Sequence, residues 1–155
     1  MSEIYDMAGH LIRRLNQISV AIFAERMAEM EVELTPVQYA ALTTIQENPG
    51  IDQASLAGAI AYDKATIGGV VDRLAAKGAI DRTQSRTDRR ARALEITPQG
   101  TALLDRIRPT VLALQRDILA GLDEAESAQL MTLLAKTTEA GNARSRAPLK
   151  RRPGP

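Results

Sequence analysis

Residues Asp63 to Gly100 read DKATIGGVVDRLAAKGAIDRTQSRTDRRARALEITPQG, and the period of their apolar positions changes once along the way. In the first half Ile67, Val70, Val71 and Leu74 recur at three and four residues, the stripe of a helix that buries one face. Asp63 stands where an N-cap carboxylate accepts free amides, Tyr62 before it can staple onto Ile67, and Gly78 supplies the exit turn. Beyond Gly78 the segments Ala79–Thr83 and Arg92–Thr97 are short and rich in Ile, Leu and Thr. Between them runs the polar, basic stretch QSRTDRRA, so the spacing predicts a β-hairpin with a basic tip. Thr97-Pro98 then pairs an N-cap hydroxyl with a proline at the first helical position, where the missing amide costs nothing.

The flanks extend this pattern in both directions. Upstream, Ile51-Asp52 repeats the cap, with Ile51 placed to staple onto Leu56, so two short helices meet at about Ala61 to Asp63 as a helix-turn-helix. Before it, Thr35-Pro36 opens a helix with Val37, Leu42 and Ile45 inward, which the cluster Asn48-Pro49-Gly50 ends. From Ile4 to about Met30 apolar residues at Ile4, Ala8, Leu11, Leu15, Ile18 and Ile22 step alternately by four and three, the heptad spacing of a helix packing along a seam. Such a helix is roughly 40 Å long, and packing on a second subunit is the economical reason for its length. Downstream, Leu104, Ile107, Val111, Leu114 and Ile118 step by three and four through Pro109, where a kink is expected. Asp123 and Glu126 offer a reciprocal cap for a last helix carrying Leu130, Leu133 and Leu134. The expected fold is mainly α with a small β-hairpin wing, a winged helix-turn-helix flanked by N- and C-terminal dimerisation helices. Its parts are a dimerisation helix at 1–34, the winged domain at 35–97, further dimerisation helices at 98–141 and a basic, disordered tail at 142–155.

Composition narrows the chemistry. The 155 residues carry 45% hydrophobic and 25% charged side chains, near globular averages, so most of the chain should fold. Zero Cys and one His exclude disulfides, thiol catalysis, a thiol-oxidation switch and a Cys/His zinc cluster. No nucleophile, base and orienting group assemble from the spacing, and no Gly-rich phosphate loop appears, so an enzyme is not expected. There is no apolar run fit to span a bilayer and no signal-like start, which places the protein in the cytoplasm and off the membrane. The net charge of +1 hides an uneven distribution: five Arg and one Asp lie between Arg82 and Arg92, and five bases without an acid lie between Asn142 and Pro155. Removing those ten bases and one acid from totals of 20 and 19 leaves a body near −8. Basic appendages on an acidic scaffold suit a polyanion, which makes double-stranded DNA the leading partner.

On the helix from Asp63, the outward positions are Lys64, Ala65, Thr66, Gly68, Gly69, Asp72 and Arg73. Small side chains at 65, 66, 68 and 69 let a helix sink into a major groove, Ala65 or Thr66 can meet thymine methyls, and Lys64 and Arg73 can reach phosphate or guanine. The alternative is that Gly68-Gly69 permit tight packing within the protein. A winged-helix module that binds protein without specific DNA binding is the competing function, and it suits the acidic body better than the Arg-rich wing.

Here a resemblance enters. DRTQSRTDRRARALEITPQG, from Asp81, resembles the wing signature of the MarR (multiple antibiotic resistance regulator) family, and DKATIGGVVDRLAAKGAI, from Asp63, is similar to its recognition helix and exit turn. The likeness spans essentially Ile4 to Gly141. It implies a homodimer on a pseudo-palindromic operator, with a recognition helix in each of two major grooves and a wing at the minor groove. In the wing it implies contacts from the tip residues Ser85, Arg86, Arg89 and Arg90, with Asp88 pairing to a neighbouring Arg, chiefly Arg90, while Arg86 or Arg89 enters the minor groove. It further implies repression relieved by a small aromatic acid effector and no cofactor; GHLIRRLNQISVAIFAE, from Gly9, looks closest to regulators of aromatic or heteroaromatic acid catabolism. For that ligand His10, Arg14 and Gln17 share a helical face, since guanidinium and imidazole suit a carboxylate, and Gln38 and Tyr39 offer polar and ring contacts. The plain alternative is that His10 and the arginines serve the subunit interface. The basic tail either adds non-specific attraction to DNA or does nothing.

Overall fold

The computed structural model describes residues 2–85 and 88–151. A single 3-10 turn, Glu3–Asp6, leads through extended Met7 into α1 (Ala8–Glu29). α2 (Pro36–Glu47) begins at Thr35, whose hydroxyl accepts the Gln38 amide while Gln38 Oε1 accepts the Thr35 amide, a complete capping box. The two-residue strand β1 (Ile51–Asp52) follows, then α3 (Gln53–Ala59), capped by Asp52 at the Ser55 amide. α4 (Lys64–Ala76) starts at Asp63 and ends at Gly78, which takes the left-handed conformation at φ +73°. There the amide of Gly78 bonds to Ala75 and that of Ala79 to Leu74, the paired closure that glycine permits after a helix.

β2 (Ile80–Gln84) and β3 (Arg92–Ile96) form the expected hairpin, and β1 joins it on the far side, giving an antiparallel sheet of order β1-β3-β2. Ile51 faces Leu94 across one pair and Arg82 faces Leu94 across the other. Ile51 and Leu56 are fully buried as the staple requires, but Ile51 also carries the third strand, which its short local pattern did not announce. α5 (Pro98–Ile118) runs through Pro109 as one element, and α6 (Glu124–Gly141) opens with the Asp123–Glu126 capping box.

The core lies inside the winged domain, where Leu42, Ile45, Leu56, Ile67, Leu74 and Leu94 are fully buried, and it continues along α5 through Leu104, Ile107 and Leu114. α1 contributes only Phe23 and Met27 to it, and α6 buries nothing. Ile4, Leu11 and Ile18 of the N-terminal seam stay 45–48% exposed. Between α1, the end of α5 and α6 opens a cleft of about 900 Å³ lined by Ile12, Leu15, Ile118, Leu122, Met131 and Leu134.

The tail departs from the disorder its composition predicts: residues 142–151 are folded against the winged domain. Asn142 accepts the Leu149 amide (2.8 Å) and donates to the Leu149 carbonyl (3.0 Å), the Lys150 amide donates to Gly58 O (2.8 Å), and Arg146 meets Asp63 (3.2 Å). One amide side chain thus closes a short loop by satisfying both backbone groups of a single residue. Residues 152–155 lie outside the described part.

Candidate nucleic-acid interface

α4 presents two unlike faces. Ile67, Val70, Val71 and Leu74 are buried, whereas Lys64, Ala65, Thr66, Gly69 and Arg73 are exposed and Gly68 is half-buried. A methyl group on Gly69 would meet nothing within 4 Å, and one on Gly68 would touch only Gln53 Nε2, at 3.5 Å. Packing inside the chain therefore demands neither glycine, which removes the tight-packing alternative. The Thr66 amide and hydroxyl both donate to the Asp63 carboxylate, at 2.9 and 3.0 Å, which leaves Thr66 its methyl and an acceptor oxygen but no donor. Those Thr66 bonds, amide first, and then Arg146 hold the Asp63 carboxyl below its ordinary range.

The wing is held to α4 and its exit turn at two places. Arg82 on β2 donates to Asp72 on α4 at 2.6 Å, an anchor that periodicity alone gave no reason to single out. At the base, Thr97 Oγ1 donates to Gly78 O (2.6 Å) and accepts the Gly100 amide (3.0 Å), while the Thr97 amide bonds to Ala79 O. Gly100 is buried, and a Cβ there would overlap the Ala79 carbonyl oxygen. The Thr-Pro-x-Gly segment thus locks three things together: the α4 exit turn, the sheet and the start of α5.

At the tip, Arg89 and Arg90 are exposed, while Arg86 lies outside the described residues. Asp88 does turn to Arg90, but through the backbone: its carboxylate accepts the Arg90 amide at 2.9 Å, in place of the expected guanidinium pair. A carboxylate two residues before an amide closes such a turn locally, and this leaves the arginine side chain to project. Ser85 is likewise taken into the turn, its hydroxyl accepting the Asp88 amide and its own amide donating to Ala91 O.

The residues assigned to an effector fall into two groups. His10 and Gln17 lie together, but the arginine between them is Arg13, which donates to Gln17 Oε1 (2.9 Å) and lies 3.4 Å from His10 Nδ1. Arg14 is exposed and its side chain has no hydrogen bond or ion pair among the described residues. Tyr39 packs on Phe23 at 6.3 Å between ring centres, so along α1 the first group lies about 9 Å (Gln17) to about 20 Å (His10) from the second within one chain. Gln38 is buried and its oxygen accepts the Thr35 amide, so that oxygen serves the helix cap. Sequence reasoning also passed over a feature between α2 and α5. Thr43 Oγ1 on α2 and Arg108 Nε on α5 are buried without a hydrogen-bond partner among the described residues, while Arg108 Nη2 donates to Gln46 (2.7 Å). Only a buried, unsatisfied atom betrays such a place, and a sequence does not display one.

Among the described residues no group of three or more His, Cys, Asp or Glu side chains could hold a metal, and no helix is long and apolar enough to cross a membrane. A helix-turn-helix whose second helix carries a bare, small-residue face, with a basic hairpin tied beside it, is a winged helix-turn-helix of the DNA-binding class.

Comparison with known proteins agrees. Residues 34–91 match the MarR family. The chain is 38% identical over 132 residues (84% of this chain, 80% of the relative) to a putative transcriptional regulatory protein for the hcr operon of Thauera aromatica. It is 31% identical to the HTH-type transcriptional repressor NicR of Pseudomonas putida, over 86% of this chain and 84% of NicR. Among solved structures, a probable transcriptional regulator from Pseudomonas aeruginosa superposes with a TM-score of 0.81 at 34% identity, covering 86% of this chain and 98% of that one. Bordetella bronchiseptica BpsR, described with regulation of its DNA binding by 6-hydroxynicotinic acid, gives 0.76 at 31%, covering 84% and 97%. The repressor CouR, bound to a 23-mer DNA duplex, gives 0.80 at 27%, covering 89% and 96%. The chain belongs to the MarR family of transcriptional regulators, and its relatives are not enzymes.

Proposed function

We propose that this protein is a cytoplasmic, homodimeric repressor that reads a pseudo-palindromic operator and lets go of it when an aromatic or heteroaromatic acid binds. The observation that carries the DNA contact is the bare face of α4: Gly69 has open space where a side chain would stand, between exposed Lys64 and Arg73. Ala65, Thr66, Gly68 and Gly69 meet the groove floor and Lys64 and Arg73 its rims, while Arg89, Arg90 and Arg86 carry the wing to the minor groove. The apolar seam of α1 and the cleft beside α6 receive the second copy, for exposed Leu11 and Ile18 have no cover in one chain.

Pairing also bears on the effector. The partner's first helix can bring a second set of His10, Arg14 and Gln17 toward Tyr39 and Thr43 of α2 and Arg108 of α5, where Thr43 Oγ1 and Arg108 Nε have no partner among the described residues. An aromatic carboxylate fits those groups: the guanidinium and hydroxyl bind its oxygens, and Phe23 and Tyr39 its ring. Repression rests on the likeness to NicR, and the acid on the likeness to BpsR. Release requires the acid to favour a spacing of the two α4 helices that misses the grooves. Ties to the segment that follows α1, from Lys77 of the winged domain to Glu33 O and from Arg106 of α5 to Met30 O (2.5 Å), pass such a change along.

Selection of bound sequences from a random duplex library tests the first half. Half-sites about one helical turn apart are expected; no enrichment at low or moderate salt overturns the reading in favour of a protein-binding module. Competition with a panel of aromatic acids then tests the second, and an Arg14→Ala protein that is still released by the same acid at the same concentration removes Arg14 from the pocket.

A further inference from the structure

The last described segment does something that neither the winged domain nor the dimer helices require. Residues 142–151 leave α6 and return to the helix-turn-helix, touching both of its helices. The Lys150 amide bonds to Gly58 O of α3 at 2.8 Å, and the Lys150 side chain lies where a Cβ on Gly58 would meet it at 3.1 Å. Arg146 Nη2 reaches Asp63 Oδ2, the cap of α4, at 3.2 Å while its side chain stays 88% exposed. Asn142 clasps Leu149 through both of its backbone groups, so the loop between them is closed by the chain itself.

Charge and place then act together. The segment holds Arg144, Arg146, Lys150 and Arg151 and no acid. It sits at the N-terminal end of α4, the end that a recognition helix turns toward the bases, and along α3, the helix that crosses the phosphate backbone. Asp63 is a carboxylate at that same end, 31% exposed, and it repels phosphate unless compensated. Arg146 supplies the compensation and projects beyond it. Arg151, 3.7 Å from Glu139, and exposed Arg144 extend the basic line along the strap.

We propose that residues 142–151 form a DNA-contacting strap, a third element beside α4 and the wing, whose arginines bind backbone phosphates flanking the groove that α4 occupies. This rests on the DNA-binding reading above. The arginines meet phosphate, so they strengthen binding to every sequence alike and place the protein without choosing the site. In a dimer each base counts twice.

The test compares the full chain with the triple substitution Arg144→Gln, Arg146→Gln, Arg151→Gln and with a chain ending at Gly141. The triple variant keeps the Asn142–Leu149 and Lys150–Gly58 bonds, so it separates charge from folding. Each protein is titrated with its selected operator and with a random duplex over a series of salt concentrations. The slope of log K against log salt becomes shallower by about 0.9 for each phosphate that the protein no longer neutralises. We expect the triple variant's slope to be shallower by about two or more and its low-salt affinity to fall about tenfold, equally on both duplexes. An unchanged slope overturns the strap alone, and so does tighter binding on its removal, since that describes a segment that occludes DNA. Absence of binding by the unaltered protein at low salt overturns both the strap and the DNA-binding reading.

Discussion

Gly69 and Gly100 are both glycines in helices, and the structure assigns them opposite reasons. At Gly100 the space is taken: Ala79 O and the Ile96 side chain occupy it, so Gly100→Ala must push the sheet from α5. Overpacking of that kind costs about 1–3 kcal/mol, which a denaturant melt would read directly. At Gly69 the space is empty. Gly69→Ala should raise stability by about 0.5–1 kcal/mol, because alanine loses less backbone entropy in a helix interior. The same change should weaken operator binding about tenfold, a cost of about 1.4 kcal/mol from a methyl group that meets bases. A variant that is both more stable and as tight on DNA would show that α4 does not approach a groove at this residue. Asp63 adds a pH signature. Its native pKa is lowered, chiefly by the Thr66 amide, so its contribution to stability is complete above the ordinary aspartate range and is lost as pH falls through the native value. Acid melts should therefore diverge between wild type and Asp63→Asn above that range and converge below it.

The elements owe their ends to side chains a few residues away. Thr35, Asp52, Asp63, Thr97 and Asp123 each cap a helix at the residue where the sequence pattern places a cap, and Gly78 closes α4. These were legible because capping is decided within four residues, inside the window a pattern covers. β1 was not, since its two residues become a strand only by meeting β3 some forty positions later. The wing tip falls between these cases. Its basic character could be read off, and Arg90 is indeed the neighbour that Asp88 takes, but whether amide or guanidinium meets the carboxylate depends on how the turn closes. Breaking the wing's anchor makes a further test: Arg82→Ala removes an exposed pair worth at most about 1 kcal/mol. It should leave the fold intact while loosening the wing, seen as faster amide exchange at residues 88–92 and weaker DNA binding.

For the molecule as a whole, the deciding fact is apolar surface left over. Ile12 is 59% exposed, Met131 55% and Leu133 50%, and the cleft between α1, α5 and α6 is apolar through most of its lining. That surface is what the proposed second copy would cover. Sedimentation at micromolar concentration should find a dimer, and Leu11→Glu with Ile18→Glu should give a folded monomer with much weaker operator binding, because the paired half-sites are then read singly. If contacts to about six to ten phosphates hold the dimer on DNA, its affinity falls by about 10³–10⁵ from 50 to 200 mM salt.

Local rules and charge were enough to determine the helices, their caps, the hairpin, the basic tip and the class of partner. Each depends on residues close in sequence, or on totals that folding does not alter. The tertiary structure alone decided four matters: that Ile51 completes a sheet, that Gly100 admits the Ala79 carbonyl, that Gln38 is spent on a cap, and that the tail returns to α3 and Asp63. It also left Thr43 Oγ1 and Arg108 Nε without a partner among the described residues. All but the cap are meetings between segments distant in the chain, and the cap shows only once the Gln38 side chain is seen to turn back to the Thr35 amide. Hydrophobic burial brings such segments together without regard to sequence distance, so what they do on arrival is written in the packing.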